Sequence, residues 1–385
     1  MPWKETCSMD ERVHLIALWN EGQMSVSQLS RSFGVSRKTV YKWLARYEQA
    51  GAAGLVDSAP SAHRHPHATP EAIVAALLEL RKERPSWGPK KLRARLAQLG
   101  MAVPATSTVG ELLKKHGMIR PRRRRVYPPR MPSELAVTTR PNDTWCVDFK
   151  GHFALGDKSR CYPLTLTDQV SRYLLKCEAV ERQDTTCVKV HFERAFREYG
   201  LPIRIRSDNG PPFASSGVGG LSELSVWWIK LGVTPERIEP GKPQQNGRHE
   251  RMHRTLGEET ARPAAPNVVA QQLAFDRFRA DYNNVRPHEA LGQSAPITHY
   301  SNSARSMPEK PKSPEYPDGM RVLKVGPQGT VKPFNQTKVL LAKSLAGEPV
   351  GLLETGERAY QIFYGNVMLA TVSTHDNKVR MVRVK

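Results

Sequence analysis

Asp148 in "WCVDF", Asp208 in "IRIRSDNG" and Glu250 in "QQNGRHERMHRTL" are the residues of this sequence whose types suit a shared chemistry. Several carboxylates converging on one place can hold two divalent cations roughly 4 Å apart, one activating an attacking oxygen and the other stabilising a leaving oxygen at a phosphodiester. Magnesium favours such hard oxygen donors. Three clustered carboxylates repel one another unless a cation sits among them. Each acid also has a plainer reading. Asp148 can be a polar outward residue of a strand, "SDNG" an ordinary turn, and Glu250 a surface partner of Arg254 one helical turn on. Asp168 reads as a cap on a strand-to-strand turn at 168–172 in preference to a fourth acid of the set. His249 and His253 read as helix-surface residues.

The elements that must position these acids begin at about residue 137. "WCVDFKGHFAL", "YPLTLTDQVS" and "RYLLKCEAV" read as strands, "TTCVKVHFERAFREYG" as a helix and "PIRIRSDNG" as a strand ending in a turn. A helix over "GGLSELSVWWIKLG", a short strand "TPERIEP", and helices over "QQNGRHERMHRTLGEET" and "NVVAQQLAFDRFRADYNNV" follow. This order describes a mixed sheet covered by helices. Alternation along the first strand puts Trp145, Val147 and Phe149 on one face and Asp148 on the other. Glu250 shares a helical stripe with Asn246, His253 and Arg254.

The flanks are basic. Net charge is +21, and residues 1–130 supply +13 of it. Such a front end favours a polyanionic partner through counterion release. Residues 8–57 read as three short helices with helix-turn-helix spacing, Ser25 and Ser36 as caps and Gly34 as the tight turn. The second helix of such a motif enters the major groove. Its exposed candidates are Arg37, Lys38, Thr39, Lys42 and Arg46, with Val40, Trp43 and Leu44 facing inward. After a linker at 59–69, residues 70–119 repeat the style. A helix capped by Thr106 or Ser107 offers Thr106, Ser107, Thr108, Lys114 and Lys115 to DNA. His63, His65 and His67 in the linker read as solvated, since no cysteine or carboxylate cluster accompanies them. The stretch 120–136 carries Arg122, Arg123, Arg124 and Arg125 among prolines and reads as a phosphate-tracking linker. After a third linker (303–319), residues 320–385 show short strands between turns, the pattern of a small β-barrel. Lys324, Lys332, Lys338, Lys343, Arg380 and Arg383 make it a further DNA contact or a protein contact. Five cysteines without a C-x-x-C pair suit a reducing compartment and argue against a structural zinc site. No apolar run approaches the roughly 18 residues of a membrane helix, and the N-terminal residues show no apolar core of a signal peptide.

"WCVDF", "SDNGPPF" and "PGKPQQNGRHERMHRTL" together resemble the signature blocks of DDE transposases of bacterial insertion sequences, which share the catalytic core of retroviral integrases. "YNNVRPHEALGQSAP", "MPWKETCSMDER" and "PSWGPKKLRARL" extend the resemblance over most of residues 1–300. It implies helix-turn-helix modules, then an RNase H-like core with a mixed five-stranded sheet at 137–302, then the all-β tail. It implies that Asp148, Asp208 and Glu250 are the catalytic, metal-binding triad, served by magnesium with manganese able to replace it. Asn246 and Gly247 would shape the helix start, with Asn246, Arg248, Arg251 and Arg254 near DNA. The implied reaction cleaves the 3′ ends of a mobile element and joins them to target DNA, without a covalent protein–DNA intermediate. The partners implied are double-stranded DNA and further copies of the chain, with no membrane, in a bacterial cytoplasm at the nucleoid. Two departures stand out. Forty-one residues separate Asp208 from Glu250, several more than is common in the family, and "ASSGVGGLSE" is the expected site of the excess. Gly257 stands where many relatives carry a basic residue, which puts one end-DNA contact in doubt. The rival readings are a DNA-binding regulator with a silent core and a plain nuclease.

Overall fold

The computed structural model describes residues 7–57, 68–119, 135–239, 242–334, 337–375 and 378–383. Arg122–Arg125 and the linker histidines lie outside the described residues. The chain divides into two compact units, 1–68 and 69–385.

In the first unit, helices α1 (Ser8–Asn20), α2 (Val26–Ser32) and α3 (Arg37–Ala50) pack Leu15, Ile16, Leu29, Val40, Trp43, Leu44 and Leu55 into one core. Ser25 closes a capping box with Gln28, and the Ser36 hydroxyl accepts from the Thr39 amide at 3.1 Å. The Gln28 side chain thus accepts from the Ser25 amide, while the Ser36 hydroxyl meets a first-turn N–H of α3. Gly34 makes the turn at φ +64°, a conformation that favours glycine. Val13 is 48% exposed, off the stripe that Leu15 and Ile16 bury.

The second unit opens with α4 (Glu71–Glu83), α5 (Pro89–Gln98) and α6 (Thr106–Lys115), packed around Leu77, Trp87, Leu92, Leu96, Val109 and Leu113. Ala105, not Thr106 or Ser107, holds the N-cap position of α6. Both hydroxyl residues therefore sit inside the first turn. This three-helix group is clamped to helices further along the chain. Arg84 pairs with Asp281 at 2.7 Å, Lys90 with Glu289, and Arg286 reaches Glu259 at 2.7 Å while lying over the Trp87 ring.

The mixed sheet holds β1 (Thr144–Phe149), β2 (Phe153–Ala154), β3 (Arg160–Asp168), β4 (Leu174–Val180), β5 (Arg204–Ser207) and β6 (Thr234–Arg237). Its order is β2-β3-β1-β5-β6, with β4 also paired to β3. The five expected strands are all present, and the two-residue β2 extends the edge. β1 runs antiparallel to β3 and parallel to β5. Helices α7 (Thr185–Tyr199) and α8 (Glu223–Lys230) cover one face, where Trp145, Val147, Ile205, Phe192, Phe196 and Trp228 form the largest core. On the other side, α9 (Gly247–Thr260) and α10 (Val268–Asn284) pack Met252, Leu256, Phe275 and Phe278 against Leu174 and Cys177 of β4.

The C-terminal tract forms β7 (Arg321–Lys324), β8 (Thr330–Phe334), β9 (Thr337–Leu340), β10 (Pro349–Gly356), β11 (Ala359–Tyr364), β12 (Val367–His375) and β13 (Lys378–Arg383). They make a five-stranded antiparallel sheet, β13-β12-β11-β10-β7, and a β8-β9 hairpin. The segment between Asp208 and α8 is what this sheet rests on. Val218 and Leu221 join its core together with Val226 and Ile229 of α8. The Val218 amide donates to the Leu341 carbonyl at 3.2 Å, and the Ser344 hydroxyl to the Leu221 carbonyl at 2.7 Å. A Cβ on Gly219 would fall 2.7 Å from the Leu369 side chain, so this close approach needs glycine. The segment expected to hold the excess thus lies where the C-terminal sheet docks, after β5 and Asp208.

Candidate active site

The strand register brings the first two acids together. Thr144, Trp145 and Cys146 stand beside Arg204, Ile205 and Arg206. Continued by two residues, that parallel register sets Asp208 beside Asp148. Neighbouring strands lie about 4.8 Å apart, and equal parity puts both side chains on the same face. Asp208 follows the last residue of β5, where its Oδ1 accepts from the Gly210 amide at 3.2 Å. Glu250 comes from the first turn of α9 and is exposed. No ion pair joins it to Arg254 among the described residues, so the surface-pair reading finds no support.

Electrostatics ties the three together. Burial pushes the Asp148 carboxyl up to about 7, and the negative charges of Asp208 and Glu250 push the same way. Burial also raises Asp208. Among the described residues, no three His, Cys, Asp or Glu side chains are gathered tightly enough to hold an ion as they stand. The carboxylates are nevertheless close enough for Asp148 to feel both of the others. An anionic, hard-oxygen donor set with which no described lysine or arginine forms an ion pair fits a divalent cation.

Thr165 and the two histidines form the floor beside Asp148. Thr165 is the antiparallel partner of Asp148 in β3, and Thr167 is that of Cys146. Contrary to the surface reading, His249 and His253 are buried, 2% and 7% exposed. They share the inner stripe of α9 with Met252, Leu256 and Thr260. The Nε2 atoms of both lie 2.6 Å from Thr165 Oγ1, and His249 Nδ1 lies 3.0 Å from Thr167 Oγ1. Thr165 Oγ1 also donates to the Asp148 carbonyl at 3.1 Å. With its single hydrogen spent there, the hydroxyl accepts from both rings, which assigns the Nε2–H tautomer to each. His253 Nδ1 then turns a lone pair to Asp148 Oδ2 at 3.8 Å. This is not an ion pair, because burial holds His249 down to about 3 and His253 to about 2. The signal for this floor is present in the sequence: Thr165 and Thr167 alternate with Leu164 and Leu166, and 249, 252, 253 and 256 keep helical spacing.

Asp168 is 1% exposed and caps the β3–β4 turn. It accepts from the amides of Asn142, Val170 and Ser171 at 2.8, 3.1 and 2.7 Å, and from the Ser171 hydroxyl at 2.6 Å. Arg251 and Arg254 are exposed on α9, as is Arg248, which also reaches the Gln169 carbonyl at 3.3 Å. Asn246 is buried at the N-cap position. Lys150, two residues past Asp148, is a member of the site that no sequence pattern marks. Its ammonium lies 2.7 Å from where a Cβ on Gly257 would be. A cation thus occupies the place beside Gly257 where the sequence lacks one.

The helical groups present their candidates unevenly. On α3, Arg37, Lys38 and Lys42 are exposed, Thr39 is tied to Ser36, and Arg46 is half-buried over the Trp43 ring at 5.1 Å. Tyr41, 61% exposed, joins this outer face and is an addition to the expected set. On α6, Ser107, Thr108, Lys114 and Lys115 are exposed, and Thr106 is half-buried.

Known proteins match along the same lines. The integrase core domain family matches residues 138–243 and, in a second form, 231–296. Helix-turn-helix and homeodomain-like families match 11–64 and 39–113. An uncharacterised 31.7 kDa protein of insertion element IS407 from Burkholderia multivorans is 30% identical over 228 residues, 59% of this chain and 79% of its own length. A 39.2 kDa protein of insertion element IS476 from Xanthomonas euvesicatoria is 26% identical over 294 residues, 74% of this chain and 80% of its own. A chain of the simian T-cell lymphotropic virus intasome solved with a PP2A regulatory subunit is 16% identical, with a TM-score of 0.37 over 80% of this chain and 96% of that one.

Proposed function

Since this chain belongs to the family of insertion-element transposases built on an integrase core, we propose that it is an active DNA transposase. It binds the ends of a mobile element, cleaves them to free 3′-hydroxyls, and joins these to target DNA. The observation that carries the reading is the parallel β1–β5 register, which, continued by two residues, sets Asp208 beside Asp148, with Glu250 near enough to act on the same carboxyl. A carboxyl perturbed by burial together with specific charged neighbours is a functional-site candidate.

Asp148, Asp208 and Glu250 would hold divalent cations, magnesium or manganese in its place. When bound, these would supply charge stabilisation of the attacking and leaving oxygens. The chain's own part is to hold and orient. Thr165, His249 and His253 fix the wall beside Asp148. Arg248, Arg251 and Arg254 would meet DNA phosphates along α9, and phosphate contacts set register without reading sequence. Arg37, Lys38, Thr39, Lys42 and Arg46 on α3, and Thr106, Ser107, Thr108, Lys114 and Lys115 on α6, would bind the element end. Two ends held at once would require more than one copy of the chain. The test is joining of labelled 3′ ends to a plasmid in magnesium. Asp148→Ala, Asp208→Ala and Glu250→Ala should each abolish joining while end binding persists. Joining at the wild-type rate by any one of them would remove that residue from the set.

A further inference from the structure

Lys150 follows the last residue of β1, and alternation continued one residue past the strand places it on the Asp148 face. Its side chain reaches across to α9. A Cβ at position 257 would fall 2.6 Å from its Cε and 2.7 Å from its Nζ, so the lysine runs where any residue but glycine would carry a side chain. Among the described residues that ammonium has no hydrogen bond and no ion pair. It is half-buried, so it stands ready for an anion that the folded chain does not itself provide.

Gly257 follows Glu250 by seven residues, two helical turns on nearly the same stripe. At 1.5 Å of rise per residue, the ammonium lies about 10 Å along α9 from the glutamate. A DNA strand advances about 3.4 Å per phosphate. We propose that Lys150 binds one backbone phosphate of the element end, within about three nucleotides of the phosphodiester held at Asp148, Asp208 and Glu250. Gly257 is the opening through which it reaches that phosphate. This deepens the transposase reading and rests on it.

The test is equilibrium binding of a duplex element end by the full chain, without metal, across a salt series. Each phosphate that the protein ceases to neutralise lowers the slope of log affinity against log salt by about 0.9. Lys150→Met keeps most of the packing stem and should lower the slope by about that amount and affinity by about tenfold, with Tm unchanged. A single neutral methylphosphonate walked along the strand should weaken wild type at one position within about three nucleotides of the cleavage point. The same position should leave Lys150→Met unaffected. Lys150→Met combined with Gly257→Lys moves the cation to the helix and should restore the slope. An unchanged slope in a folded Lys150→Met protein overturns the proposal, as does an equal methylphosphonate response in both proteins. Because binding is read without chemistry, the two failures separate. A wild type that binds ends with the Lys150 contact but never joins them loses the transposase reading alone. A wild type with no end binding loses both.

Discussion

The two faces of strand β1 do opposite things with adjacent residues. Trp145 and Val147 are fully buried among Phe192, Phe196 and Trp228, and the Trp145 indole N–H is satisfied by the Asn142 side chain at 2.9 Å. One residue away, Asp148 faces two other carboxylates and the lone pair of a neutral histidine. The first face is saturated with favourable contacts. The second gathers three carboxylates with which no lysine or arginine forms an ion pair among the described residues. Such a strand separates stability from function by parity alone, and substitutions on the two faces should fail in opposite ways.

The largest effect should come from Asp148→Asn. It keeps shape and removes the charge, so strand joining should fall by on the order of a thousandfold or more, in keeping with loss of a group that acts electrostatically in the transition state. Stability should hold or rise. Joining above a tenth of the wild-type rate would break the functional half of the comparison. Trp145→Ala should do the reverse, costing about 3–5 kcal/mol of stability through reduced burial and an unfilled cavity. Urea denaturation measures it. A cost under about 1 kcal/mol would mean that this face is not the anchor.

The pH response sharpens the contrast. Asp148 keeps its proton in the fold up to about 7, whereas an unfolded aspartate loses it near about 4. Between those values the native state binds more protons, so this group's contribution to stability falls as pH rises. The Tm advantage of Asp148→Asn over wild type should therefore grow from pH 4 to 7 and level off above. Magnesium should raise the wild-type Tm more at pH 8 than at pH 5 and do little for the variant. A Tm difference flat with pH would show that Asp148 is not held protonated.

How far all this is legible in the sequence differs by the kind of interaction. Local rules place the Ser25 and Ser36 caps, the Asp168 turn and the alternation along β1, because neighbours in sequence decide them. β8 escapes a strand pattern because Pro333 interrupts it, and the pairing does shift register between Val331 and Phe334. The clamp of Trp87, Arg84 and Lys90 onto the later helices joins residues some 200 apart, and no local period records it. His249 and His253 mislead for a different reason. Their polarity suggests the surface, whereas their phase with Met252 and Leu256 fixes them on the side of α9 that faces inward. Lys150 is invisible because its partner is the missing side chain of Gly257.

The smallest effect should come from Thr165→Val, which tests whether the charged face has a structure of its own. The substitution is nearly isosteric, but it takes one acceptor from two buried imidazoles. Unsatisfied buried donors cost about 1–3 kcal/mol. Joining should fall only several-fold, since Asp148 loses orientation and keeps its charge. The imidazole nitrogen signals in the NMR spectrum should report the change directly, as both Nε2–H groups lose the same partner. If those signals and the joining rate both stay at wild-type values, Thr165 is a bystander. The site would then be held by strand register and the helix alone, and the polar face of β1 would owe its order to the apolar face behind it.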